Sequence, residues 1–233
     1  MARRFGITRE AQDEFAYNSH MKAVAALESG KFSEEIVPLD VRVRENGGWR
    51  DIHFDADEGP RADTTVEGLA KLKPVFDPMG TVTAGNASQI NDGAAAVDIM
   101  GKDVADTLEL EPIAFVRHWA VAGVDPDIMG IGPVAAVPKL LDKTGLTLDD
   151  IDLVEINEAF ASQSVYCTNE LGLDPAKTNV NGGAIATGHP LGATGAVLTV
   201  KILGELKRTG GKRGLVTMCL GGGMGVAYLL EMA

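Results

Sequence analysis

Apolar positions in the opening segment recur at helical spacing and then change to alternation. A thin apolar stripe among polar residues comprises Ala11, Phe15, Ala23, Ala26 and Leu27. This spacing predicts a helix over Thr8–Ser29, with Thr8 as its N-cap and Gly30 at the C-cap position. The alternation that follows predicts a half-buried strand, whose apolar members are Val37, Leu39, Val41 and Val43.

The segment after this strand is rich in turn-forming residues. The acidic, glycine-containing stretch from Glu45 to Arg61 predicts an exposed loop. Beyond it we expect a short helix around Val66–Leu72, an extended stretch, and an alanine-rich helix over Asn91–Met100. One strand cannot satisfy its own backbone, and the first helix has only a narrow apolar stripe. We therefore expect the N-terminal part of the chain to be completed from outside the chain or from far along it.

Strands and helices alternate from Pro112 onward. Strands are predicted at Ile113–Val121, Ile151–Ile156, Asn179–Val180, Gly214–Cys219 and Val226–Met232. Helices are predicted at Pro133–Lys143, Glu158–Leu171 and Leu191–Leu206. This alternation indicates an α/β architecture. Because only a short glycine-rich turn joins the last two strands, the sheet is expected to be mixed, parallel with an antiparallel edge.

The composition is that of a folded chain with a strongly acidic surface. The 233 residues are 45% hydrophobic, enough for one large domain or a domain with an appendage. With 21 basic and 33 acidic residues the formal net charge is −12, which disfavours general nucleic-acid binding because such a surface repels phosphate backbones. A local basic pocket for one small anion remains compatible with this charge.

Cysteine usage and hydropathy suggest the compartment. Cys167 and Cys219 are the only cysteines, too few for a disulfide framework, and this favours a reducing environment. The sequence contains no apolar run of about 18 residues, the length that would indicate a membrane span. The opening residues lack the apolar core of a signal peptide. We therefore expect a cytoplasmic protein.

The first candidate for chemistry is the Asn-Glu-Ala-Phe motif that begins at Asn157. It follows an apolar strand and opens a predicted helix, which is where open α/β sheets place their ligands. The alternative is structural, with Asn157 as the N-cap of that helix.

The second candidate is the glycine-rich stretch from Gly182 to Ala196, which contains His189. Glycines allow close approach of the backbone and unusual dihedral angles, and Pro190 restrains the preceding histidine to extended geometry. Such a fixed imidazole suits a general base or an oxyanion donor. The alternative is a tight turn with an incidental histidine. A dinucleotide-binding fingerprint is disfavoured because the glycines do not follow its order.

The third candidate is Cys219, which ends a predicted strand and precedes three glycines. Unpaired N–H groups of such glycines can form an oxyanion hole, and a thiol beside them can have a lowered pKa. In isolation, a cysteine at a strand end is more often a small buried apolar residue.

The fourth candidate is the stretch of small and hydroxyl side chains from Thr81 to Ala96. Its lack of bulk suits a wall for a flat, extended ligand. The signal is weak alone, because glycine-rich loops of this kind are common.

The order of these four stretches resembles the thiolases, the acetyl-CoA acetyltransferase family. The resembling motifs are Asn-Glu-Ala-Phe, Gly-His-Pro and Cys-Leu-Gly, and TAGNASQINDGAA is similar to the family's coenzyme A-binding stretch. The resemblance covers the whole chain but implies only the C-terminal part of a thiolase. It implies the second part of a coenzyme A-binding loop domain over 1–90, a helix of the N-terminal core domain over 91–111, and the C-terminal core domain over 112–233.

The resemblance implies a division of catalytic labour. His189 would activate the nucleophile and help to bind the thioester oxygen, and Asn157 would orient a water beside it. Cys219 would be the acid/base in condensation or thiolysis, and Gly221 would offer its N–H to a second oxyanion hole. The residues implied to bind coenzyme A are Arg61, Phe76, Ala84, Ser88, Met129, Ala159 and Phe160.

One departure from the family pattern concerns the nucleophile. Thiolases carry it in a Cys-x-Ser motif, and neither Cys167 nor Cys219 has a serine two residues on. The expected function is therefore that of one subunit of a split thiolase, acting on acyl-CoA or 3-ketoacyl-CoA without a further cofactor. A complementary chain would supply the nucleophile, and a higher oligomer is expected. The alternatives are a non-catalytic coenzyme A-binding scaffold and an inactive fragment.

Overall fold

The computed structural model describes all residues from Met1 to Ala233. Its α-helices are α1 (Ala2–Phe5), α2 (Arg9–Glu28), α3 (Val66–Ala70), α4 (Lys102–Thr107), α5 (Gly132–Thr144), α6 (Ala161–Leu171), α7 (Ala184–Thr187) and α8 (Thr194–Thr209). Its strands are β1 (Leu39–Glu45), β2 (Gly48–Phe54), β3 (Ala114–Gly123), β4 (Leu153–Ile156), β5 (Arg213–Leu220) and β6 (Met224–Met232). Two 3₁₀ turns lie at Pro126–Ile131 and Leu148–Asp150. None of the helices has the length and apolar character needed to cross a membrane.

A four-stranded mixed sheet forms the centre of the fold, in the order β3-β6-β5-β4. Strands β4 and β5 are parallel, whereas β6 is antiparallel to both of its neighbours. Successive β5 residues face opposite layers: Leu215 packs with α5 and α6, and Val216 packs with α8. This confirms the expected α/β architecture, a mixed sheet covered by helices with an antiparallel edge.

Helix α2 forms where its apolar stripe predicted it. The Thr8 hydroxyl accepts the Ala11 N–H at 3.2 Å, and burial of Ala16, Ala23 and Ala26 follows from packing on α3, α6 and α7. A side chain at Gly182 would come within 2.7 Å of the Ala23 Cβ, so the helix lies directly on the glycine-rich loop. The N-terminal part is therefore completed from far along the chain, one of the two possibilities expected.

The predicted loop over Glu45–Arg61 is wrong in its first part. Residues Gly48–Phe54 form β2, which pairs antiparallel with β1 through a tight turn at Asn46 and Gly47. Both turn residues have positive φ, 49° and 81°, and Asn-Gly is the residue pair that such hairpin turns favour. The Asn-Gly step was therefore the available signal for a second strand.

The predicted helix over Asn91–Met100 is also wrong. These residues have no regular secondary structure, and within 91–111 only α4 is helical. Short helices depend on an apolar face packed against other elements, and here Ile99 remains 76% exposed. The division into loop-domain and core-domain segments stays a prediction.

The predicted strand at Asn179–Val180 is wrong: neither residue is in a strand, and the isolated bridge nearby joins Val154 to Thr178, one residue earlier. Asn179 has a φ of 43°, which ends the extended conformation directly after the bridge. The chain turns instead into the glycine-rich loop.

We predict that amide hydrogen exchange divides the N-terminal part into slow and fast segments. The amides of α2 should exchange orders of magnitude more slowly than those of the β1–β2 hairpin and of residues 91–100, because only α2 is packed against the core. Exchange followed by mass spectrometry on the isolated chain measures this. Uniformly fast exchange over residues 1–111, with α5 and α8 protected as the internal control, would contradict it.

Candidate functional site

The site begins where two parallel strands end. Ile156 of β4 lies opposite Thr217 of β5, and the N–H of Asn157 donates to the Thr217 carbonyl at 3.0 Å. Cys219 lies two residues farther along β5. Asn157 and Cys219 therefore project from the same edge of the sheet, the edge where α/β proteins bind ligands. Helix α6 begins only at Ala161 with Phe160 in the N-cap position, so the alternative of Asn157 as a cap is wrong.

The imidazole of His189 lies against Asn157. Its Nε2 is 3.3 Å from Asn157 Nδ2, and its Nδ1 is 2.6 Å from Thr194 Oγ1. Because Asn157 Nδ2 can only donate, Nε2 carries the lone pair that accepts from it, and the proton lies on Nδ1, from which the Thr194 hydroxyl accepts. Burial lowers the pKa of His189, which favours the neutral ring. A neutral imidazole with its Nε2 lone pair towards the site can act as a base.

Asn157 leaves one acceptor open at this point. Its Oδ1 is buried and has no hydrogen-bond partner in the chain, while its Nδ2 is beside His189. A buried amide oxygen without a partner is costly, and a water or a ligand donor would satisfy it. The geometry therefore fits the implied role of Asn157 in orienting a water.

The glycines of the His189 loop are required by close contacts. A side chain at Gly188, where φ is 96°, would collide with the Asn91 side chain. A side chain at Gly183 would collide with the Glu158 carboxyl group. The loop therefore keeps the close backbone approach that its glycine content predicted.

Glu158 joins three parts of the chain beneath the site. Its carboxyl group is 1% exposed and accepts from Ser19 Oγ at 2.5 Å, Asn179 Nδ2 at 2.7 Å and the Ile185 N–H at 3.3 Å. Ser19 lies on α2, and its Oγ also accepts the Gly183 N–H at 3.1 Å. The motif that carries Asn157 is thus tied directly to the loop that carries His189.

Cys219 and the turn after it present a thiol and a free N–H. Burial raises the pKa of the Cys219 thiol, so the expectation of a lowered pKa is wrong. The physical reason is desolvation without a cation to offset it. The N–H of Gly221 donates no hydrogen bond in the turn between β5 and β6. The site therefore holds a protonated thiol near an unused backbone donor.

Four of the residues implied to bind coenzyme A come together. The Ser88 N–H donates to the Ala159 carbonyl at 3.0 Å, and Ala87 forms a bridge with Phe160. The Phe76 ring lies edge-on to Phe160 with 6.2 Å between centroids and is itself 74% exposed. The stretch from Thr81 to Ala96 is therefore held against the motif that carries Asn157, with an exposed aromatic ring beside it.

The other three residues implied to bind coenzyme A are all exposed; they are Arg61, Ala84 and Met129. Arg61 is exposed, its guanidinium makes no ion pair, and its backbone N–H donates to His20 Nδ1 at 3.2 Å. Ala84 is exposed on a turn, and Met129 is 38% exposed on the 3₁₀ turn beside α6. No hydrogen bond or ring contact joins Ala84 or Met129 to the Phe76–Phe160 group. No group of three or more His, Cys, Asp or Glu side chains is arranged to hold a metal ion.

Sequence reasoning missed Thr194, which contacts the His189 ring, and Gln89, whose backbone carbonyl accepts the His189 N–H. Thr194 could have been found, because it is a hydroxyl residue at the start of a helix soon after the histidine. Gln89 had no such signal: its Nε2 donates to carbonyls of two distant segments, at Gly59 and Ala186. Pairings across such separations depend on the tertiary fold.

Comparison with known families covers both parts of the chain. Residues 110–232 match the family "Thiolase, C-terminal domain", and residues 1–103 match "Thiolase, N-terminal domain". The expectation of a resemblance to the C-terminal part alone is thereby corrected. The chain is 52% identical over 237 residues to a 3-ketoacyl-CoA thiolase of Bacillus subtilis, covering 100% of this chain and 61% of that protein. It is 54% identical over 230 residues to an acetyl-CoA acetyltransferase of Pseudomonas aeruginosa, covering 99% and 58%.

Solved structures show the same fold. The crystal structure of the Bacillus anthracis acetyl-CoA acetyltransferase matches with a TM-score of 0.94 at 48% identity, over 100% of this chain and 58% of that one. Human mitochondrial 3-ketoacyl-CoA thiolase in complex with CoA matches with a TM-score of 0.87 at 44% identity, over 100% and 57%. The fold is thus the thiolase fold, and the chain spans about three fifths of the length of these relatives.

We predict that Glu158→Ala lowers the free energy of unfolding by at least about 2 kcal/mol, because the Ser19 hydroxyl and the Ile185 N–H each lose their acceptor at a cost of roughly 1–3 kcal/mol. Urea denaturation followed by circular dichroism measures the change. The matched control is Glu170→Ala on the exposed side of α6, expected to stay within about 0.5 kcal/mol. Equal effects of the two substitutions would refute the role given to the Glu158 network.

Proposed function

The chain belongs to the thiolase family, and from that premise we propose that it is the acyltransferase subunit of a split thiolase. It would catalyse condensation of acyl-CoA, or thiolysis of 3-ketoacyl-CoA, together with a chain that supplies the nucleophilic cysteine. The observation that carries this proposal is the contact of His189 with Asn157 at the sheet edge from which Cys219 also projects. A scaffold that only held coenzyme A would need no such arrangement.

His189 is assigned to the acylation step. Its Nε2 lone pair takes the proton of the nucleophilic thiol, and the resulting thiolate attacks the thioester carbonyl carbon. The carbon–sulfur bond to coenzyme A then breaks, and coenzyme A leaves as the thiolate. A water held by the open Oδ1 of Asn157 would donate to the oxyanion that forms.

Cys219 is assigned to proton transfer at the carbon next to the second thioester. In thiolysis its thiol donates a proton to the leaving enolate carbon, and in condensation its thiolate removes that proton. The raised pKa of Cys219 favours the donor form at rest. The free Gly221 N–H is assigned to the oxygen of the enolate.

The coenzyme A path is assigned to the surface beside these groups. Phe76 and Phe160 offer apolar faces, and Ser88 lies next to Ala159 at the same place. The unpaired guanidinium of Arg61 is the candidate partner for the nucleotide phosphates, since planar guanidinium groups bind phosphate through two hydrogen bonds. Ala84 and Met129 stay predictions for the ends of this path.

The nucleophile is assigned to a second chain. Cys167 is fully buried, its thiol donates to the Gly130 carbonyl at 3.3 Å, and burial raises its pKa to about 12. Such a thiol is unsuited to nucleophilic attack. Large apolar side chains stay exposed on residues 99–119, and a complementary chain would cover them; these are Ile99, Leu108, Ile113 and Trp119.

The compartment and the assembly also stay predictions. Both cysteines are free, which fits the proposed cytoplasmic location. A higher oligomer of the two-chain complex is expected, with coenzyme A thioesters as substrates and no further cofactor.

We predict that the chain alone forms no acetyl-enzyme with acetyl-CoA, and that adding the complementary chain places one acetyl group on that second chain. Intact-protein mass spectrometry after incubation measures both. A stoichiometric acetyl adduct on Cys219 would overturn the roles assigned here. A natively purified protein that proves to be one polypeptide of the relatives' full length would overturn the two-chain arrangement.

In the reconstituted complex, we predict that two substitutions separate the half-reactions. His189→Ala should abolish acylation, whereas Cys219→Ser should leave acylation within a few-fold and slow condensation by at least about 100-fold, the usual scale of acid–base catalysis. Burst acylation and steady-state condensation assays measure the two steps, with Cys167→Ala as the matched cysteine control. Equal loss of both steps in both variants would contradict the division of labour.

A further inference from the structure

The side-chain amide of Gln89 lies within hydrogen-bond distance of three backbone carbonyls on two distant segments. Its Nε2 lies 2.9 Å from the Gly59 carbonyl, 2.9 Å from the Ala186 carbonyl and 3.3 Å from the Ile185 carbonyl. Its own backbone carbonyl accepts the N–H of His189 at 3.3 Å. One residue therefore contacts the Gly59 segment, the end of α7 and the backbone of the candidate catalytic histidine.

The carbonyls that Gln89 binds are those that a helix end leaves unpaired. Helix α7 has only four residues, Ala184–Thr187, so its last carbonyls have no helical partner. Within the chain, Gly188 N–H closes on Ala184, and the Gln89 amide takes the next two carbonyls. This cap lies immediately before Gly188, whose φ of 96° directs the backbone into His189.

The Gly59 segment has little room to move away from this cap. A side chain at Gly59 would collide with the Ala186 carbonyl and come within 3.1 Å of Gln89 Nε2. Arg61, two residues on, is the proposed phosphate partner. The Gln89 amide therefore lies between the segment assigned to the nucleotide and the loop that carries the imidazole.

We propose that Gln89 is a positioning residue for His189: its side-chain amide caps α7 and thereby holds the imidazole with Nδ1 towards Thr194 and Nε2 towards Asn157. This inference rests on the proposed function only in taking His189 as the reacting group. It concerns the orientation of the ring, which can be observed without turnover.

The tautomer of the ring reports this orientation. Free histidine in water favours the proton on Nε2, whereas the contact of Nε2 with the Asn157 Nδ2 donor requires it on Nδ1, facing Thr194. Two-bond ¹H–¹⁵N correlation spectra of the full chain, labelled with ¹⁵N-histidine, distinguish the two forms. His189→Asn, which removes one of the four histidine signals, assigns the resonance.

In the wild-type chain we expect the Nδ1–H form of His189 to predominate. Gln89→Leu keeps the bulk but removes the donor, and it should give a mixture of tautomers and move the His189 titration midpoint upwards, towards that of an exposed ring. The matched control is Gln12→Leu, which removes a buried amide whose Nε2 donates to the Ile7 and Thr8 carbonyls and to the Thr81 hydroxyl. That control should leave the His189 spectrum unchanged.

An unchanged tautomer and midpoint in folded Gln89→Leu would overturn the proposal, as would equal changes in the Gln12→Leu control. If Gln89→Leu does not fold, Gln89→Asn, whose shorter amide cannot reach both segments, is measured instead with the same expectation.

On the wild-type chain, the Gln89 side-chain amide protons should exchange slowly with solvent and show nuclear Overhauser contacts to Ala186. Fast exchange without those contacts would also overturn it. Failure of acylation in the complex would count against the proposed function alone, since the ring spectrum is read independently.

Discussion

The buried carboxyl group of Glu158 is the constraint on which the rest of the site depends. It has almost no contact with solvent, and it is satisfied only if α2, the Asn179 turn and the start of α7 all lie in place. An unsatisfied carboxylate in the interior is costly, so these segments are ordered together or not at all. Gly183 is glycine for the same reason, because the carboxyl group occupies the space of a side chain. The position of His189 is thus set by contacts made well outside its own loop.

A second set of buried polar contacts extends this constraint to the stretch from Thr81 to Ala96. Asp13 on α2 accepts from Asn86 Nδ2 at 2.9 Å, and the Asn86 carbonyl accepts the Ala161 N–H at 2.9 Å. Both Asp13 and Asn86 are fully buried. Helix α2 therefore supports the candidate coenzyme A surface as well as the glycine-rich loop. This explains why a helix with a narrow apolar stripe is stably placed: its buried face is largely polar and is matched residue by residue.

The sequence predicted those parts of the fold whose signals are local. Helix α2, the β5–β6 hairpin and the alternation after Pro112 follow from spacing, capping and turn residues, and they were placed within a few residues. The helix expected over Asn91–Met100 failed because helix propensity does not decide a short segment without a packing surface. Motif order brought His189, Asn157 and Cys219 into one hypothesis. The Gln89 and Glu158 contacts could not be foreseen, because they join residues that only the tertiary fold brings together.

Burial favours the neutral form of both candidate acid–base groups, because it shifts their pKa values in opposite directions. It lowers the pKa of His189 and raises that of Cys219, so both side chains are neutral in the resting site. No cation lies at either group to offset desolvation, and the neighbours are amide, hydroxyl and backbone groups. Charge would therefore appear in this site only when a substrate or a nucleophile brings it. A site of fixed dipoles without a resident ion stabilises such transient charge with little reorganisation, because its donors are already oriented. The unpaired Gly221 N–H is a donor still free for that stabilisation, and the open Asn157 Oδ1 can accept from a water whose second hydrogen provides another.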